Sequence, residues 1–342
     1  MSTLAVPEPV EVVEHVSPLA PSDAVLEARR PLLLRGLVRD WPIVRAARSS
    51  PAEAIALLRA ADGGGPVTAF VGPPSIRGRY FYNDALDGFN FTPERHRFSS
   101  VLDALERHRE DAEPPALYMG STTVDECLPG FMAAHPLDMG ARTPLISLWL
   151  GNRARIAPHQ DLPDNLACVV AGRRRFTLFP PEQLPNLYIG PLDFTPAGQA
   201  ISLVDLHAPD LARFPRFAEA MRHALVAELE PGDALFVPSM WWHHVESLDP
   251  FNALINYWWR RVPAYMDTPM VALMTALLCI RELPQAERAI WRDVFDHYVF
   301  APDSDSAAVA AHIPEPVRRV LGALDETAAR ELRARLLHRL NR

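Results

Sequence analysis

The chain has 342 residues, enough for one large domain with appended helices or for two small ones. With 49% hydrophobic and 22% charged residues it has the balance of a globular protein, so disorder is expected only at the ends. A net charge of −8 argues against a broad phosphate-binding surface and so against nucleic acid as the partner, though a local basic groove remains compatible with it.

Residues 1–22, rich in Pro, Val and Glu, read as an extended arm, with a short helix at 22–29 capped by Ser22 or Asp23. PLLLRGLV at 31–38 reads as a buried strand, stopped by Asp40, Trp41 and Pro42. A helix over 49–61 takes Ser50 as its N-cap and Pro51 as its first residue, and Gly63, Gly64 and Gly65 break it. Strands are predicted at 67–72 and 79–84, then an amphipathic helix over 98–110 with Ser99 or Ser100 as cap. From about 116 to 260 short apolar runs recur between Pro, Gly and Asp, the pattern of a sandwich or barrel of many short strands, with one helical insertion at 214–225. Beyond about 265 the spacing turns helical, over 268–281, 285–299 and 326–341. The apolar stretch at 270–280 is too short to span a bilayer and reads as a buried or interface helix. The domain reading is an arm at 1–22, a main domain at 23–262 and a helical region at 263–342.

Cys127, Cys168 and Cys279 are odd in number and form no CxxC, which excludes a Cys-rich zinc site and a disulfide framework. They read as buried thiols in a reducing compartment. The first 16 residues have neither a basic start nor a long apolar run, so the expected location is the cytoplasm, with no membrane contact.

The chemistry concentrates in PHQD at 158–161 and WWHH at 241–244. Alternation along a strand turns His159 and Asp161 the same way, to adjacent corners of one metal ion. A third ligand must come from another strand, and His243 and His244 offer it. Neighbours in a strand face opposite ways, so only one of the two can join, and spacing does not choose between them. Two histidines and a carboxylate are the ligand set of non-haem Fe(II) oxygenases.

Longer strings carry a resemblance. PHQDLPDNLACVVAGRRRFTLFPPEQLPNLY, VDLHAPDLARFPRF, ELEPGDALFVPSMWWHHVESL and LINYWW occur in the order and near the spacing of the JmjC domain of cupin-like oxygenases. The chain resembles most the asparaginyl hydroxylases of the factor-inhibiting-HIF type, over most of residues 30–261 including LLLRGLVRDWP, RYFYND and FNF. The resemblance implies a mostly β fold: a double-stranded β-helix (cupin, jelly-roll) core with N-terminal α/β elements and a C-terminal helical appendage. It implies Fe(II) on His159, Asp161 and His243, the first histidine of its pair, with 2-oxoglutarate as co-substrate. Arg174 stands where the family usually has lysine; in a chain whose 34 basic residues are all arginine the charge is kept, on a longer group able to bind a carboxylate bidentately. Asn165 and Asn256 match polar residues near the co-substrate, Trp258 an aromatic near the metal, and Tyr118 a tyrosine that bonds the far carboxylate; Ile156 replaces a threonine. The implied activity is side-chain hydroxylation of a protein or peptide ahead of N-methyl demethylation or a small-molecule substrate. The alternatives are a silent cupin-fold binding module and a metal cupin enzyme that does not use 2-oxoglutarate. Relatives of this type dimerise through helices after the β core, which implies a homodimer.

Overall fold

A computed structural model describes residues 4–14, 16–300 and 309–341. Positions 1–3 and 15 of the expected arm lie outside the described residues. The chain divides into two compact units, Met1–Arg260 and Arg261–Arg342.

Unit one is built on two sheets. Strands β1 (Glu8–Pro9), β12 (Leu225–Leu229), β11 (Arg174–Phe179), β14 (Trp242–Ser247), β9 (Ala154–Gln160) and β5 (Arg79–Tyr80) form one, in that order. The other runs β2 (Glu11–Val12), β3 (Leu32–Leu34), β13 (Ala234–Val237), β10 (Asp164–Ala171), β15 (Asn252–Trp259), β8 (Leu145–Gly151), β7 (Ala116–Thr123), β4 (Pro66–Gly72) and β6 (Thr92–Arg97). The eight strands β8–β15 divide four to each sheet, with β11 and β12 paired as neighbours in one, and make the expected jelly-roll core. The arm adds one short parallel strand to each sheet, β1 beside β12 and β2 beside β3.

Side-chain alternation divides the core into two compartments. Every residue of β10 is buried, because both of its faces are covered. Ala167 and Val169 point between the sheets, with Phe176, Leu178, Leu235 and Leu254. Leu166, Cys168 and Val170 point outward, into a larger core under the N-terminal helices α2 (Pro42–Ser49), α3 (Pro51–Ala60) and α4 (Phe98–Arg107). The apolar filling closes one end of the jelly roll, leaving its other end for polar groups.

Several local expectations change. Helix α2 occupies the stretch read as a strand stop. Trp41, Ile43 and Val44 are fully buried, and burial worth about 1.5–3 kcal/mol for each side chain holds eight residues that propensity alone would not. Ser50 does cap α3, accepting from the Glu53 amide at 3.1 Å. Ser22 stands at the N-cap of α1 (Asp23–Leu26) without a side-chain bond, and α4 starts at Phe98 as expected but with Arg97, not Ser99 or Ser100, at its N-cap. The insertion helix α6 is only Phe217–Arg222, since Leu225 already pairs in β12. Cys127 and Cys168 are buried thiols, but Cys279 is exposed.

Unit two contains α7 (Pro269–Cys279), α8 (Gln285–Tyr298) and a helix at Glu326–Leu340. Neither α7 nor α8 has a buried residue. Among the described residues no helix is long and apolar enough to cross a membrane.

Candidate metal centre and adjoining cavity

His159 and His243 face each other on hydrogen-bonded neighbouring strands, although 82 residues separate Asp161 from His243 in sequence. From His243 to Val245 on β14, the partner strand β9 runs from His159 back to Ile156, three residues against two. That extra residue is a bulge at Ala157 and Pro158. It reverses the side-chain parity of β9, so Ile156 and His159 both point inward. Asp161 follows the end of β9. The Met240 amide donates to its carbonyl at 2.9 Å, and the Ser239 hydroxyl donates to the Leu162 carbonyl at 2.6 Å. These bonds tie the carboxylate's loop to the turn that precedes His243.

The three side chains converge. The His rings are 4.2 Å apart between centroids, and His243 Nε2 lies 3.6 Å from Asp161 Oδ2. His159 Nδ1 is 2.9 Å from the Ala157 carbonyl and His243 Nδ1 is 3.0 Å from that of Trp241. With both Nδ1–H groups donated to backbone, both Nε2 lone pairs are left to a cation, the usual orientation of a metal-ligating imidazole. Burial and the His243 neighbour bring His159 down to about 4, so it is neutral and ready to ligate. Burial pushes the Asp161 carboxyl up, but His243 outweighs burial and holds it below its usual value. Burial opposes the charged form of His243 as well, yet Asp161 raises it. The donor set therefore fits a divalent cation that accepts nitrogen and oxygen ligands, iron among them.

These groups help to line a small cavity of about 50 Å³. All eight residues selected from sequence line it: Tyr118, His159, Asp161, Asn165, Arg174, His243, Asn256 and Trp258. Arg174 points inward from β11 and is 2% exposed, and among the described residues its Nε and Nη2 have no partner. Burial lowers its pKa against a raising contribution from the hydrogen-bonded Tyr118 hydroxyl, which burial itself pushes up to about 12. Among the described residues no carboxylate pairs with it. An unpaired buried cation costs several kcal/mol, so the cavity is built for an anion. Asn256 accepts from Trp149 Nε1 at 2.7 Å and donates to Asn165 Oδ1 at 3.3 Å, a chain of bonds along one wall.

A larger cavity of about 510 Å³ opens above and shares Tyr118, Trp149, Ile156, His159, Asp161 and Trp258 with the first. Phe70, Tyr80 and Phe91 wall it, and the segment carrying Pro196 and Ile201 crosses its edge. Among the described residues Asp161 is its only lining carboxylate, and no Arg lines it. Trp149 escaped sequence reading because PLISLWLG reads as plain strand. The FNF string, by contrast, signalled Phe91 without showing where it would lie.

A family model described as a cupin-like domain matches residues 18–265. HSPB1-associated protein 1 of Homo sapiens is 39% identical over 148 residues, which are 42% of this chain and 30% of that protein. The lysine-specific demethylase JMJ31 of Arabidopsis thaliana is 33% identical over 141 residues, 40% of this chain and 25% of that one. The bifunctional peptidase and (3S)-lysyl hydroxylase JMJD7 of Homo sapiens is 27% identical over 263 residues, 67% of this chain and 77% of that one. The matches to the first two span under a third of those proteins' lengths.

Proposed function

The chain belongs to the cupin-like family, JmjC type, and from that premise we propose that it is an Fe(II)- and 2-oxoglutarate-dependent oxygenase that hydroxylates a side chain of a protein or peptide. The observation that carries the reading is Arg174, a buried cation without a counter-charge in the cavity that adjoins the His159–Asp161–His243 cluster. A dicarboxylate whose keto-acid end meets the cluster presents its far carboxylate to such a group.

In this reading His159, Asp161 and His243 hold the iron, leaving positions open for co-substrate and oxygen. Bound there, iron and 2-oxoglutarate supply the oxidising power that puts an oxygen atom on a substrate C–H bond while 2-oxoglutarate leaves as succinate and carbon dioxide. The protein's own residues bind and orient. Arg174 and the Tyr118 hydroxyl take the far carboxylate, a charge-assisted arrangement that one guanidinium can make bidentate. The Trp149–Asn256–Asn165 chain fixes the wall against which the co-substrate lies, and Trp258 packs edge-on against Trp149 at 5.6 Å. Phe70, Tyr80 and Phe91 keep the mouth dry. An apolar mouth without arginine suits a peptide side chain better than a phosphate backbone.

The test is turnover: Fe(II), labelled 2-oxoglutarate and oxygen, with succinate measured as candidate peptides are added. Arg174→Ala is expected to raise the KM for 2-oxoglutarate by roughly tenfold or more, in line with the worth of a charged hydrogen bond, while iron binding changes little. Unchanged 2-oxoglutarate affinity by calorimetry would falsify the assignment of Arg174. Iron binding without any succinate would instead favour the silent module or a cupin enzyme of another kind. Release of formaldehyde from an N-methylated peptide would move the reading from hydroxylase to demethylase.

A further inference from the structure

Strand β14 carries ligand-type residues on both faces. His243 points into the jelly roll; His244 and Glu246 point out, two residues apart on the same outer face. There they meet His207, which arrives on the long connection between β11 and β12. His207 Nε2 lies 2.5 Å from Glu246 Oε1, and His244 Nε2 lies 3.9 Å from Glu246 Oε2. One ligand atom from each of the three residues falls within 4.8 Å of the other two.

We propose that His207, His244 and Glu246 form a second divalent-cation site, for Zn²⁺, on the outer face of β14. Two independent observations point to a ligand. The first is the convergence itself, two imidazoles and a carboxylate, which suits zinc better than calcium or magnesium because those ions prefer all-oxygen shells. The second is His244. It is 4% exposed, and among the described residues neither ring nitrogen meets a partner within hydrogen-bonding distance and angle, although the Ile156 backbone lies close. A buried polar group left so costs about 1–3 kcal/mol, and a cation accepting Nε2 relieves it.

Arg77, Arg153 and Arg155 line the same groove as His207 and Glu246, and Arg155 lies 3.8 Å from Asp205. Arg175 Nη1 is 3.7 Å from Glu246 Oε2, but Nε and Nη2 of the same guanidinium are already bound to Glu228 at 2.9 and 2.7 Å. Glu246 is therefore left chiefly to the histidines. The His207 amide donates to Asp205 Oδ1 at 3.0 Å, which fixes the backbone presenting the ring. The His207 side chain is 47% exposed, so an entry path and a water ligand are available. The cation would join β14 to the connection whose earlier residues Pro196, Ala197, Gln199 and Ile201 line the mouth of the large cavity. It would thereby anchor one rim of that cavity from behind.

The test is equilibrium dialysis of the full chain against Zn²⁺ with metal counted by emission spectroscopy. In an Asp161→Ala/His159→Ala background, which leaves one ligand of the inner centre, one Zn²⁺ per chain is expected, and adding His207→Ala should remove it or weaken it at least roughly tenfold. In the otherwise unaltered chain His207→Ala should lower the count by one equivalent, whatever the starting value, and Glu246→Gln should do the same. Zn²⁺ should also raise the melting temperature of the background variant and not that of the variant lacking His207. A count that His207→Ala and Glu246→Gln leave unaltered overturns the proposal and leaves the three residues as a hydrogen-bonded surface cluster.

Discussion

At the scale of single residues, the choice between His243 and His244 rests on which face of one strand each occupies. His243 meets Asp161 inside the jelly roll, and His244 meets Glu246 outside. The expected outcome of Asp161→Ala or His243→Ala is loss of iron, at least tenfold to a hundredfold in affinity, measured as metal retained after anaerobic dialysis. His244→Ala should retain the iron. The reverse order of effects would reassign the ligand. Arg174 is the other decisive residue. Its arginine for lysine is not a neutral exchange, because the guanidinium reaches further and offers two parallel donors. Its Nε and Nη2, both unpartnered, are the donors a carboxylate needs.

At the scale of elements, two hairpin turns hold Arg174 in place. Gly172, at φ +65°, turns the chain from β10 into β11, and a Cβ there would strike the Phe251 carbonyl and the Asn252 side chain at 2.4 Å. Next to it, Arg173 donates from its amide, Nε and Nη2 to Asp249, in the turn between β14 and β15, at 2.8, 3.1 and 2.9 Å. Arg173 accordingly holds the Asp249 carboxyl below its ordinary value. A carboxyl with a depressed folded-state pKa stabilises the fold above its unfolded value, about 3.9, and that stability is lost as pH falls through the folded value. Asp249→Asn should therefore lower the urea midpoint at pH 7, with the difference from wild type shrinking steadily below pH 4. A difference independent of pH would mean that the pair acts by shape alone. Helix α2 shows the same dependence on distant partners: the amide of Ile43 in its first turn donates to His135 Nε2 at 3.1 Å, 92 residues away. No local capping residue announces that helix.

At the scale of the molecule, the helices of unit two leave a large apolar surface. Leu278 is 74% exposed and Ile290 63%, and Met270, Leu273, Met274, Trp291 and Tyr298 are exposed with them. We propose that a second copy of the chain covers these helices, since apolar surface on this scale marks an interface. Light scattering at micromolar concentration should give about twice 38.1 kDa. Leu278→Arg should bring the mass down to the monomer. A monomeric wild-type mass would overturn the proposal.

What the sequence by itself determined was whatever follows from short-range pattern and residue chemistry. Alternation and turn residues indicated the run of short strands between 116 and 260. Helical spacing placed α7 and α8, and Ser50 with Pro51 announced α3. The two histidines, the aspartate and the arginine could be named as candidates from sequence because the long matching strings carry the resemblance that selects them. What only the tertiary structure decided is whatever depends on which strands become neighbours. Pairing of β9 with β14 brings His159 against His243, and the bulge at Ala157 and Pro158 sets which side chains face inward. Trp149 joins the cavity wall only because β8 lies beside β15, opposite Asn256. Helix α2 forms because a buried core and His135 complete it. The outer cluster of His207, His244 and Glu246 could not be read ahead, since its members belong to separate segments that meet only when the sheet is formed. Local periodicity records which way a side chain points from its own strand, but not what stands opposite, and the chemistry of both clusters lies in what stands opposite.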